Sequence, residues 1–446
     1  MEDFITRPYL HFDYRTRYSS VKSYVENPKR IIRHSFLPFI HKEKVLIKYK
    51  ESEIGERPVK LKLRDLYRAG HLDSCIYKYY ADCLNECYEY QTQIRKIDNN
   101  VASYRSGKGK SNIDYAAETI NFIKQKKNGC YIFIGDFEKF FDTLDHEYLK
   151  CKLKEVLGYN RLPEDWYKIF KTITKFSWIE QKDLNDLFGS EKDQYKNGMK
   201  SYFKSWEEFR NFKVNNHVSK NTKNYGIPQG TPISALLSNI YMMDFDKWLN
   251  ELSLKYNGKY LRYADDFILI LPFETTGEAV YMRIVNMILE YATNEIKLKI
   301  EQNKTSKYVF KNDAIYLLNL ETHCRQKLIQ AKLDYLGFIF DGTKVKMRQK
   351  SVSKFYRKAN KAISKAKKRS QVKNSEHLIG KRHIYRYFFD IGENDKSGSN
   401  FGNFISYAKR CQKKFDQISP LTENLMMVQI KNRRKKLLKR CIKTNN

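Results

Sequence analysis

Three aspartates lie beside the two apolar runs of the sequence that have the character of buried strands. Asp136 directly follows residues 131–135 (YIFIG), whereas Asp265 and Asp266 precede residues 267–272 (FILILP) in the pattern of a hairpin turn. Carboxylates packed close together raise one another's pKa values, and a divalent cation removes that cost. Such a site suits Mg²⁺, and two ions about 4 Å apart clamp the attacking and leaving oxygens in phosphoryl transfer. Adjacent aspartates in a hairpin are also common as solvated turn residues, so the pair alone leaves both interpretations open.

The net charge of the chain points to a polyanionic partner. The 446 residues include 84 Lys+Arg and 51 Asp+Glu, which gives a net charge of +33 and a pI near 9.6. Such an excess destabilises the compact state unless a polyanion neutralises it, so nucleic acid is the first candidate and an anionic membrane surface the second. A solvated basic surface is the alternative. The 41% hydrophobic and 14% aromatic content excludes a wholly disordered chain, and the length favours two or three domains.

The sequence contains no sign of a membrane span, a signal peptide or a cysteine site. No apolar run approaches the roughly 20 residues that a spanning helix needs, and the start MEDFITRPYL lacks the order of a signal peptide, so we expect a cytoplasmic protein. None of the eight cysteines forms a CxxC pair, which argues against zinc-ribbon and redox motifs. The pairs Cys83 with Cys87 and His323 with Cys324 are only weak indications of a metal or redox site, and we expect these cysteines to be buried or incidental thiols.

Most of the positive charge is concentrated at the C-terminal end. Residues 343–446 contain 29 Lys+Arg and 6 Asp+Glu, a net +23, and an Asp-Gly turn signal precedes them, which predicts a domain boundary near residue 342. Residues 350–370 have the pattern of a helix with one apolar face and otherwise basic faces, and residues 425–442 that of a second basic helix. The stretch 392–402 between them is expected to be a loop.

The elements that must position the three aspartates are short strands joined by helices. Helical periodicity is found upstream in three segments: residues 147–157, 234–250 and 279–296. The stretch 179–224 has many charges, Asn residues and aromatics without a clean period, and we interpret it as a long insertion or a mobile subdomain.

Three motifs, in this order and spacing, resemble the catalytic motifs of reverse transcriptases. YADD (263–266) is similar to the YxDD box, IGDFEKFFDTLDH (134–146) to the first catalytic motif, and GIPQGTPISALLSNIYM (226–242) to the motif between them. Four further segments resemble other parts of the family, from the fingers to the primer grip: RPVKLKLR (57–64), SYRSGKGKSNIDYA (103–116), KIEQNKTS (299–306) and LDYLGF (333–338). The resemblance covers roughly residues 57–342.

This resemblance implies an α+β fold, the right-hand polymerase with fingers, a palm built on an antiparallel sheet, and a helical thumb. An N-terminal extension and the fingers would occupy residues 1–130, the palm residues 131–342 with an insertion at about 150–224, and a basic helical thumb that binds RNA residues 343–446. Thumb helices contact phosphate and sugar, so RNA binding should fall steeply with salt.

The resemblance also implies which residues hold metal. Asp136 and Asp265 would bind two Mg²⁺ ions, for which Mn²⁺ can substitute, and the backbone carbonyl of Phe137 would be a further ligand. Asp266 would support the site and ligate in some states.

A second implied set contacts the incoming dNTP. Lys62 and Arg64 alternate along an expected strand, so both point to one face that can meet a triphosphate, and Arg105 is a second candidate for this region. Phe141 lies five residues after Asp136, where an aromatic ring in this family excludes a 2′-hydroxyl and favours dNTPs. A further core Phe is the alternative there.

The remaining implied contacts involve the template, the pyrophosphate and the primer. Gln229 and Gly230 would pack under the templating base pair, where glycine permits close backbone approach. Lys304 would protonate the leaving pyrophosphate or only neutralise it. Three residues would position the primer 3′ end: Leu336, Gly337 and Phe338. A β-turn with core aromatics is the alternative for this last group.

Among reverse transcriptases, the palm motifs resemble the bacterial group of group II introns, retrons and phage-defence enzymes. NAxxH and VTG segments, associated with retrons, are absent, and Ala235 stands where retrons and introns usually have Pro. The motif at 103–116 and the insertion at 150–224 resemble the unknown-group and abortive-infection enzymes of antiphage defence. We therefore predict an RNA-directed DNA polymerase that copies a dedicated noncoding RNA into cDNA, with dNTPs as substrates and a homo-oligomer or a co-encoded protein as further partner. A group II intron-like maturase and a non-catalytic RNA-binding protein are the alternatives.

Overall fold

The structure is a computed structural model that describes residues 4–49, 59–105, 107–215, 218–318, 329–375, 377–389, 402–418 and 425–442. The elements before residue 130 are α1 (Tyr18–Val25), α2 (Pro28–Arg33), β1 (Phe39–Glu43), β2 (Leu46–Tyr49), β3 (Val59–Lys62), β4 (Asp65–Arg68), α3 (His71–Ile94) and α4 (Asn112–Lys124). Three sequence features lie wholly or mostly outside the described residues: the loop 392–402 except Gly402, the pair His323 and Cys324, and the start of the 57–64 motif.

The central part of the chain contains the strands that carry the three aspartates. Its elements are β5 (Cys130–Asp136), α5 (Phe140–Thr143), α6 (His146–Leu157), α7 (Glu164–Thr174), β6 (Ser177–Glu180), α8 (Gln181–Phe188), α9 (Glu191–Lys196), α10 (Trp206–Asn215), β7 (Ser219–Lys220), α11 (Ser234–Tyr241), α12 (Met243–Lys255), β8 (Lys259–Tyr263), β9 (Asp266–Pro272), α13 (Glu278–Asn294), a 3₁₀ turn (Gln302–Lys304), β10 (Ser306–Lys311) and β11 (Ala314–Leu317).

The last part of the chain forms a small sheet followed by basic helices. Its elements are β12 (Ile329–Ala331), β13 (Leu333–Tyr335), β14 (Phe338–Phe340), β15 (Val345–Met347), α14 (Gln349–Val372), α15 (Lys381–Phe388), α16 (Phe404–Ile418), α17 (Leu425–Val428) and α18 (Arg433–Ile442). None of the described helices is both long and apolar enough to cross a membrane.

A six-stranded antiparallel sheet, in the order β12-β11-β10-β5-β9-β8, carries both of the predicted buried strands. Successive side chains of a strand point to opposite faces, so the sheet is covered on both sides. Ile132 belongs to the same hydrophobic cluster as Ile120 of α4 on one face, and Phe133 to the same cluster as Ile284 of α13 on the other. Full burial of such a side chain contributes about 1.5–3 kcal/mol, which makes this sheet a rigid base for the residues at its edge.

The region 179–224 is built into a second sheet, in the order β4-β1-β6-β7. Strand β6 runs parallel to β1, and Ile179 packs in a cluster with Phe12 and Phe203 that joins this region to the N-terminal segment. The long segment without a clean period therefore contains three short helices and two strands among its described residues, and its core is shared with the start of the chain.

Two of the predicted helices are each divided in the structure. The predicted helix 234–250 is α11 and α12, because the amide of Met242 bonds the carbonyl of Asn239 in a tight three-residue turn. The predicted helix 425–442 is α17 and α18. Just after α17, the side-chain amide of Gln429 donates to the carbonyl of Met347 and accepts from its amide, each at 2.9 Å. The other predicted helices, 147–157, 279–296 and 350–370, are confirmed by α6, α13 and α14.

The charge boundary near residue 342 falls in the turn between β14 and β15. Residues on both sides of it share one hydrophobic cluster, in which Val352 and Phe415 pack with Ile113 and Ile132. The division into fingers, palm and thumb remains a proposal. The basic C-terminal region has a small cluster of its own, which includes Phe355 and Ile384, but its first helix and α16 also pack in the cluster that crosses the boundary. Its charge is therefore better tested by substitutions than by deletion.

Candidate active site

The sheet register brings the three aspartates to one edge. Asp136 is the last residue of β5 and lies opposite Asp266, the first residue of β9. Asp265 occupies the two-residue turn between β8 and β9, and its carbonyl accepts a hydrogen bond from the amide of Phe137 at 3.2 Å. Directly opposite residues of an antiparallel pair lie on the same face, so these like charges are forced together. The predicted hairpin turn at YADD is confirmed.

The turn itself has a strained residue that two neighbours hold in place. Ala264 has a φ of +61°, which is uncommon for a residue other than glycine. Its amide donates to the hydroxyl of Ser103 at 2.6 Å, and its carbonyl accepts from the guanidinium of Arg262 at 2.9 Å. Both backbone groups of the turn are therefore fixed from outside it.

Arg262 is held in turn by a fully buried ion pair with Asp246 of α12. Both side chains have no exposed surface, and the two pair through Nε with Oδ1 and Nη2 with Oδ2, each at 2.7 Å. The hydroxyl of Tyr260 also donates to Asp246 at 2.7 Å. Sequence reasoning missed this support, although an arginine inside an otherwise apolar strand was a visible signal that a buried partner was needed.

The electrostatics of the three aspartates reflect crowding of like charge. Burial and the neighbouring charge of Asp136 raise the pKa of Asp265. The pKa of Asp266 is raised to about 7. The largest cause is the loss of hydration of its carboxylate among surrounding protein atoms, followed by the charges of Asp265 and Asp136, although part of the residue is exposed. Lys304 offsets part of this charge, because its ammonium lies 2.6 Å from Oδ2 of Asp136. The site as folded favours a bound cation.

The donor set fits a hard divalent cation that brings other ligands with it. Oδ1 of Asp136 is buried and has no hydrogen-bond partner among the described residues. No group of three His, Cys, Asp or Glu side chains in those residues converges closely enough to hold a metal by itself. Mg²⁺ is commonly held by one or two carboxylates, with water and substrate phosphates as the other ligands. Asp136, Asp265 and the backbone at Phe137 fit that pattern.

Of the predicted triphosphate contacts, the structure brings Lys62 to the site but not Arg105. The positive charge of Lys62 opposes the rise in the pKa of Asp265, which places Lys62 near this carboxylate. The guanidinium of Arg105 is fully buried and donates to Glu89 at 2.9 Å and to Asp98 at 2.6 Å. These carboxylates occupy the donors of Arg105 in this structure, which does not favour the predicted contact with a dNTP.

The predicted strand through Lys62 and Arg64 ends at Lys62. Arg64 lies just beyond β3, where its backbone amide and carbonyl pair with those of Lys44. The side chain of Arg64 is exposed. Burial and then the charge of Asp265 raise the pKa of Tyr104, and the charge of Arg64 opposes that rise, so both Asp265 and Arg64 act on Tyr104. Arg64 is thus near the site but not on the same strand as Lys62.

The segment of Gln229 and Gly230 packs directly against β4. The carbonyl of Gln229 accepts from the amide of Tyr67 at 2.8 Å. Gly230 has a φ of +121°, and a Cβ there would lie 2.6 Å from the carbonyl oxygen of Tyr67. Glycine is therefore required for a close backbone approach, as predicted, but the approach seen is to protein.

Phe141 borders this segment, and its ring is half-buried. The carbonyl of Phe141 accepts from the amide of Ile227 at 2.9 Å, and its ring packs edge-on against Phe140 at 5.5 Å. Phe140 is buried in the core whereas Phe141 keeps an accessible part. Of the two adjacent phenylalanines, Phe141 is the one that can meet a ligand.

The last motif forms a tight hairpin turn between β13 and β14. Leu336 and Gly337 have φ values of +46° and +96°, and the carbonyl of Leu336 accepts from the side chain of Asn112 at 3.1 Å. Phe338 has no exposed surface and packs against Phe415 at 4.9 Å. Phe338 is therefore a core residue beneath this turn, and the predicted role of the three residues in positioning the primer 3′ end stays a prediction.

Comparison with known proteins identifies the region that contains this site. A family model described as reverse transcriptase (RNA-dependent DNA polymerase) matches residues 61–340. No curated protein matches the chain.

Solved structures of telomerase are similar to the chain at low identity. Apo telomerase from Candida tropicalis, truncated from its C-terminal domain, is 12% identical over 75% of this chain, with a TM-score of 0.43, and the match spans only 61% of that telomerase. Telomerase from Candida albicans in complex with a TWJ fragment of telomeric RNA is 13% identical over 99% of this chain and 68% of that one, with a TM-score of 0.41. Similarities this weak say nothing about activity or partners.

Proposed function

This chain belongs to the reverse transcriptase family of RNA-directed DNA polymerases, which are nucleotidyltransferases with a right-hand α+β fold, and we propose that it copies RNA into DNA. The observation that carries the proposal is the convergence of Asp136, Asp265 and Asp266 at one sheet edge, where Oδ1 of Asp136 is buried and has no hydrogen-bond partner within the described part of the chain. Carboxylates that repel one another are costly to keep unless a cation uses them.

In the proposed mechanism, Asp136, Asp265 and the carbonyl of Phe137 would hold two Mg²⁺ ions, and Asp266 would support them. When bound, the metal supplies charge neutralisation at the triphosphate and a lower pKa for the primer hydroxyl. The primer 3′ oxygen forms a bond to the α-phosphorus, the bond to pyrophosphate breaks, and the hydroxyl proton leaves to solvent. Lys62 and Arg64 bind the triphosphate, and Lys304 protonates or neutralises the departing pyrophosphate.

Purified protein tests this proposal directly. Incubation with Mg²⁺, dNTPs and a primed RNA is expected to give a product that DNase degrades, and a chelator is expected to abolish it. No DNA product from the wild-type protein, with the protein shown to be folded, would contradict the proposal. RNA product from rNTPs at equal yield would contradict the choice of substrate.

We propose further that the enzyme acts in bacterial antiphage defence and that a dedicated noncoding RNA is its template. Support comes from the motif at 103–116 and from the insertion at 150–224, which resemble defence-associated reverse transcriptases. Sequencing of nucleic acids that copurify with the protein, with and without phage, is expected to find one enriched RNA and its cDNA. Random host messages without enrichment would remove the dedicated template, and equal phage plating with and without the gene would remove the defence role.

The accessible ring of Phe141 is proposed to exclude the 2′-hydroxyl of an rNTP. Phe141→Ala is expected to relax discrimination against rNTPs by about 10-fold or more, because a pocket loses selectivity when the group that fills it is removed. The measurement is the ratio of kcat/KM for a dNTP and the matching rNTP. Phe140→Leu, in the core beside it, is the control and should keep the wild-type ratio. An unchanged ratio in Phe141→Ala would refute this role.

The basic face of α14 is proposed to hold RNA through its phosphates. Four exposed lysines spaced four, three and four residues apart lie on one side of the helix, opposite the buried Val352 and Phe355: Lys354, Lys358, Lys361 and Lys365. Changing all four to Gln is expected to reduce the slope of log affinity against log salt by about 3, since each single-strand phosphate contact contributes roughly 0.7.

Fluorescence anisotropy of a labelled RNA over a salt series measures this slope. A matched control removes four exposed lysines elsewhere and should leave it unchanged: Lys22, Lys29, Lys127 and Lys255. Equal slopes for the two variants would show that binding follows net charge rather than α14.

A further inference from the structure

A basic groove lies outside all of the motifs discussed so far. Its cavity has a volume of about 1310 Å³ and is bounded by the end of α2, by α6, by α7 and by Lys213 of α10. Seven of its lining residues are Lys or Arg, and Glu164 is the one acidic residue among them. The groove therefore concentrates positive charge in a concave space, where the field is focused more strongly than on a flat surface.

The sequence of the two helices directs these charges into the groove. Lys150 and Lys154 are four residues apart on α6, and Lys168 and Lys171 are three apart on α7, so each pair shares one helix face. Like charges at these spacings each cost a few tenths of a kcal/mol. An anionic ligand relieves this cost for both helices at once.

The groove cations have no carboxylate partner among the described residues, unlike Lys152 of α6. Lys152, on α6 between two of them, pairs with Glu155 at 2.8 Å and also with Asp244. Lys150 and Lys154 form no ion pair with a carboxylate in the described part of the chain, and the same holds for the other groove cations. Their charge is therefore available to a ligand.

Aromatic surfaces in the same groove decide which polyanion fits. Tyr167 is 46% exposed, with the ammonium of Lys150 5.6 Å from its ring centroid, and Phe36 forms part of the opposite wall. Cationic groups interleaved with accessible rings suit a single-stranded nucleic acid, whose phosphates meet the lysines while its bases stack on the rings. A membrane surface cannot enter a concave groove, and an acidic peptide has no bases for the rings.

The groove is joined to the segment beside Phe141 by hydrogen bonds from side chains to backbone carbonyls. At its end, Lys175 donates to the carbonyl of Lys223 at 2.7 Å, and the side chain of Asn221 donates to the carbonyl of Thr174 at 2.9 Å. That segment continues to Ile227, whose amide bonds the carbonyl of Phe141. The C-terminal end of α7, at one end of the groove, is therefore hydrogen-bonded to the segment that packs beside Phe141.

We propose that the groove between α6 and α7 binds single-stranded RNA and anchors the part of the template that lies outside the polymerase site. The identity of this RNA as template rests on the proposed function, whereas the binding itself does not. The groove is a second anchoring surface, separate from the basic face of α14.

The test uses the full-length protein and a short fluorescein-labelled oligouridine. The groove variant carries Lys154→Gln, Lys168→Gln and Lys171→Gln, and a matched variant removes three exposed lysines elsewhere: Lys182, Lys192 and Lys200. The groove variant is expected to lose about 2 from the log–log salt slope and on the order of 10-fold in affinity, while the matched variant keeps both. Equal losses in the two variants would overturn the proposal.

Photo-crosslinking of a thiouridine-labelled RNA to the wild-type protein locates the contact. Crosslinks to peptides within 150–175, and to Tyr167 in particular, are expected; their absence, while crosslinks form elsewhere, would overturn the proposal. Displacement of the RNA from these peptides by oligoglutamate at equal charge concentration would instead favour an acidic protein partner.

In DNA synthesis, the groove variant should raise KM for the RNA with kcat unchanged. If the wild-type protein makes no DNA but still forms the crosslinks, the proposed function is rejected while RNA binding in the groove is supported.

Discussion

Asp265→Asn is expected to lower DNA synthesis by about 1000-fold or more while the folded protein stays at least as stable as the wild type. The carboxylate of Asp265 stands in the turn between β8 and β9, beside Asp136. Removing one group that stabilises transition-state charge typically costs about 100- to 1000-fold in kcat, and loss of a metal ligand removes several kcal/mol. The measurement is single-turnover primer extension at saturating Mg²⁺.

The stability part of this prediction follows from the sign of the pKa shift. A carboxyl group whose pKa is raised by folding is costly to ionise in the folded state, so at pH values above its folded pKa its charge destabilises the protein. Asparagine is neutral at every pH and removes that cost at Asp265. The thermal midpoint in the presence of chelator should therefore be equal to or higher than that of the wild type.

Mg²⁺ provides a readout of this site that does not depend on catalysis. A ligand that binds only the folded state raises its stability, so Mg²⁺ should raise the midpoint of the wild type more than that of Asp265→Asn. Asp313→Asn is the matched control, because Asp313 is an exposed carboxylate that pairs with Lys124. It should behave as the wild type in both assays. Equal Mg²⁺ stabilisation of all three proteins, or substantial synthesis by Asp265→Asn, would contradict metal binding by Asp265.

The convergence of the aspartates could be predicted from sequence because it depends on local rules. Asp136 ends one apolar strand and Asp266 begins another, and antiparallel pairing with a two-residue turn at Asp265 leaves one register that buries both apolar runs. The basic helix α14 was predictable for the same reason, since its apolar positions recur with the helical period and are buried as expected.

What could not be predicted depends on which side chains meet when the elements pack together. Arg105 has the position of a substrate contact, but Glu89 and Asp98, from α3 and the loop after it, occupy its donors. The boundary at residue 342 follows charge, whereas the hydrophobic cluster that crosses it depends on how α4 and α16 pack. Charge patterning reports on a surface and its partners, and contacts in the core decide which segments fold together.

The buried pair of Asp246 and Arg262 carries the second large effect. Asp246→Asn is expected to lower the free energy of unfolding by about 3–5 kcal/mol, because it leaves the Arg262 guanidinium as an uncompensated buried charge. Denaturant unfolding measures this loss. Glu118→Gln is the control, since Glu118 forms a partly exposed pair with Lys110 whose loss should cost less than about 1 kcal/mol.

A double variant separates the contribution of this pair to folding from its contribution to the turn. Asp246→Leu with Arg262→Met replaces the pair by apolar groups, which is often neutral for stability, so most of the lost free energy should return. Activity should not return, because the carbonyl of Ala264 has lost its donor at 2.9 Å and the turn that carries Asp265 is no longer fixed. A misplacement near 1 Å costs on the order of 100-fold, so kcat should stay reduced by about that factor with KM for dNTP little changed. Recovery of both stability and kcat would show that Arg262 supports the fold alone, whereas stability without activity makes it a positioning residue for Asp265.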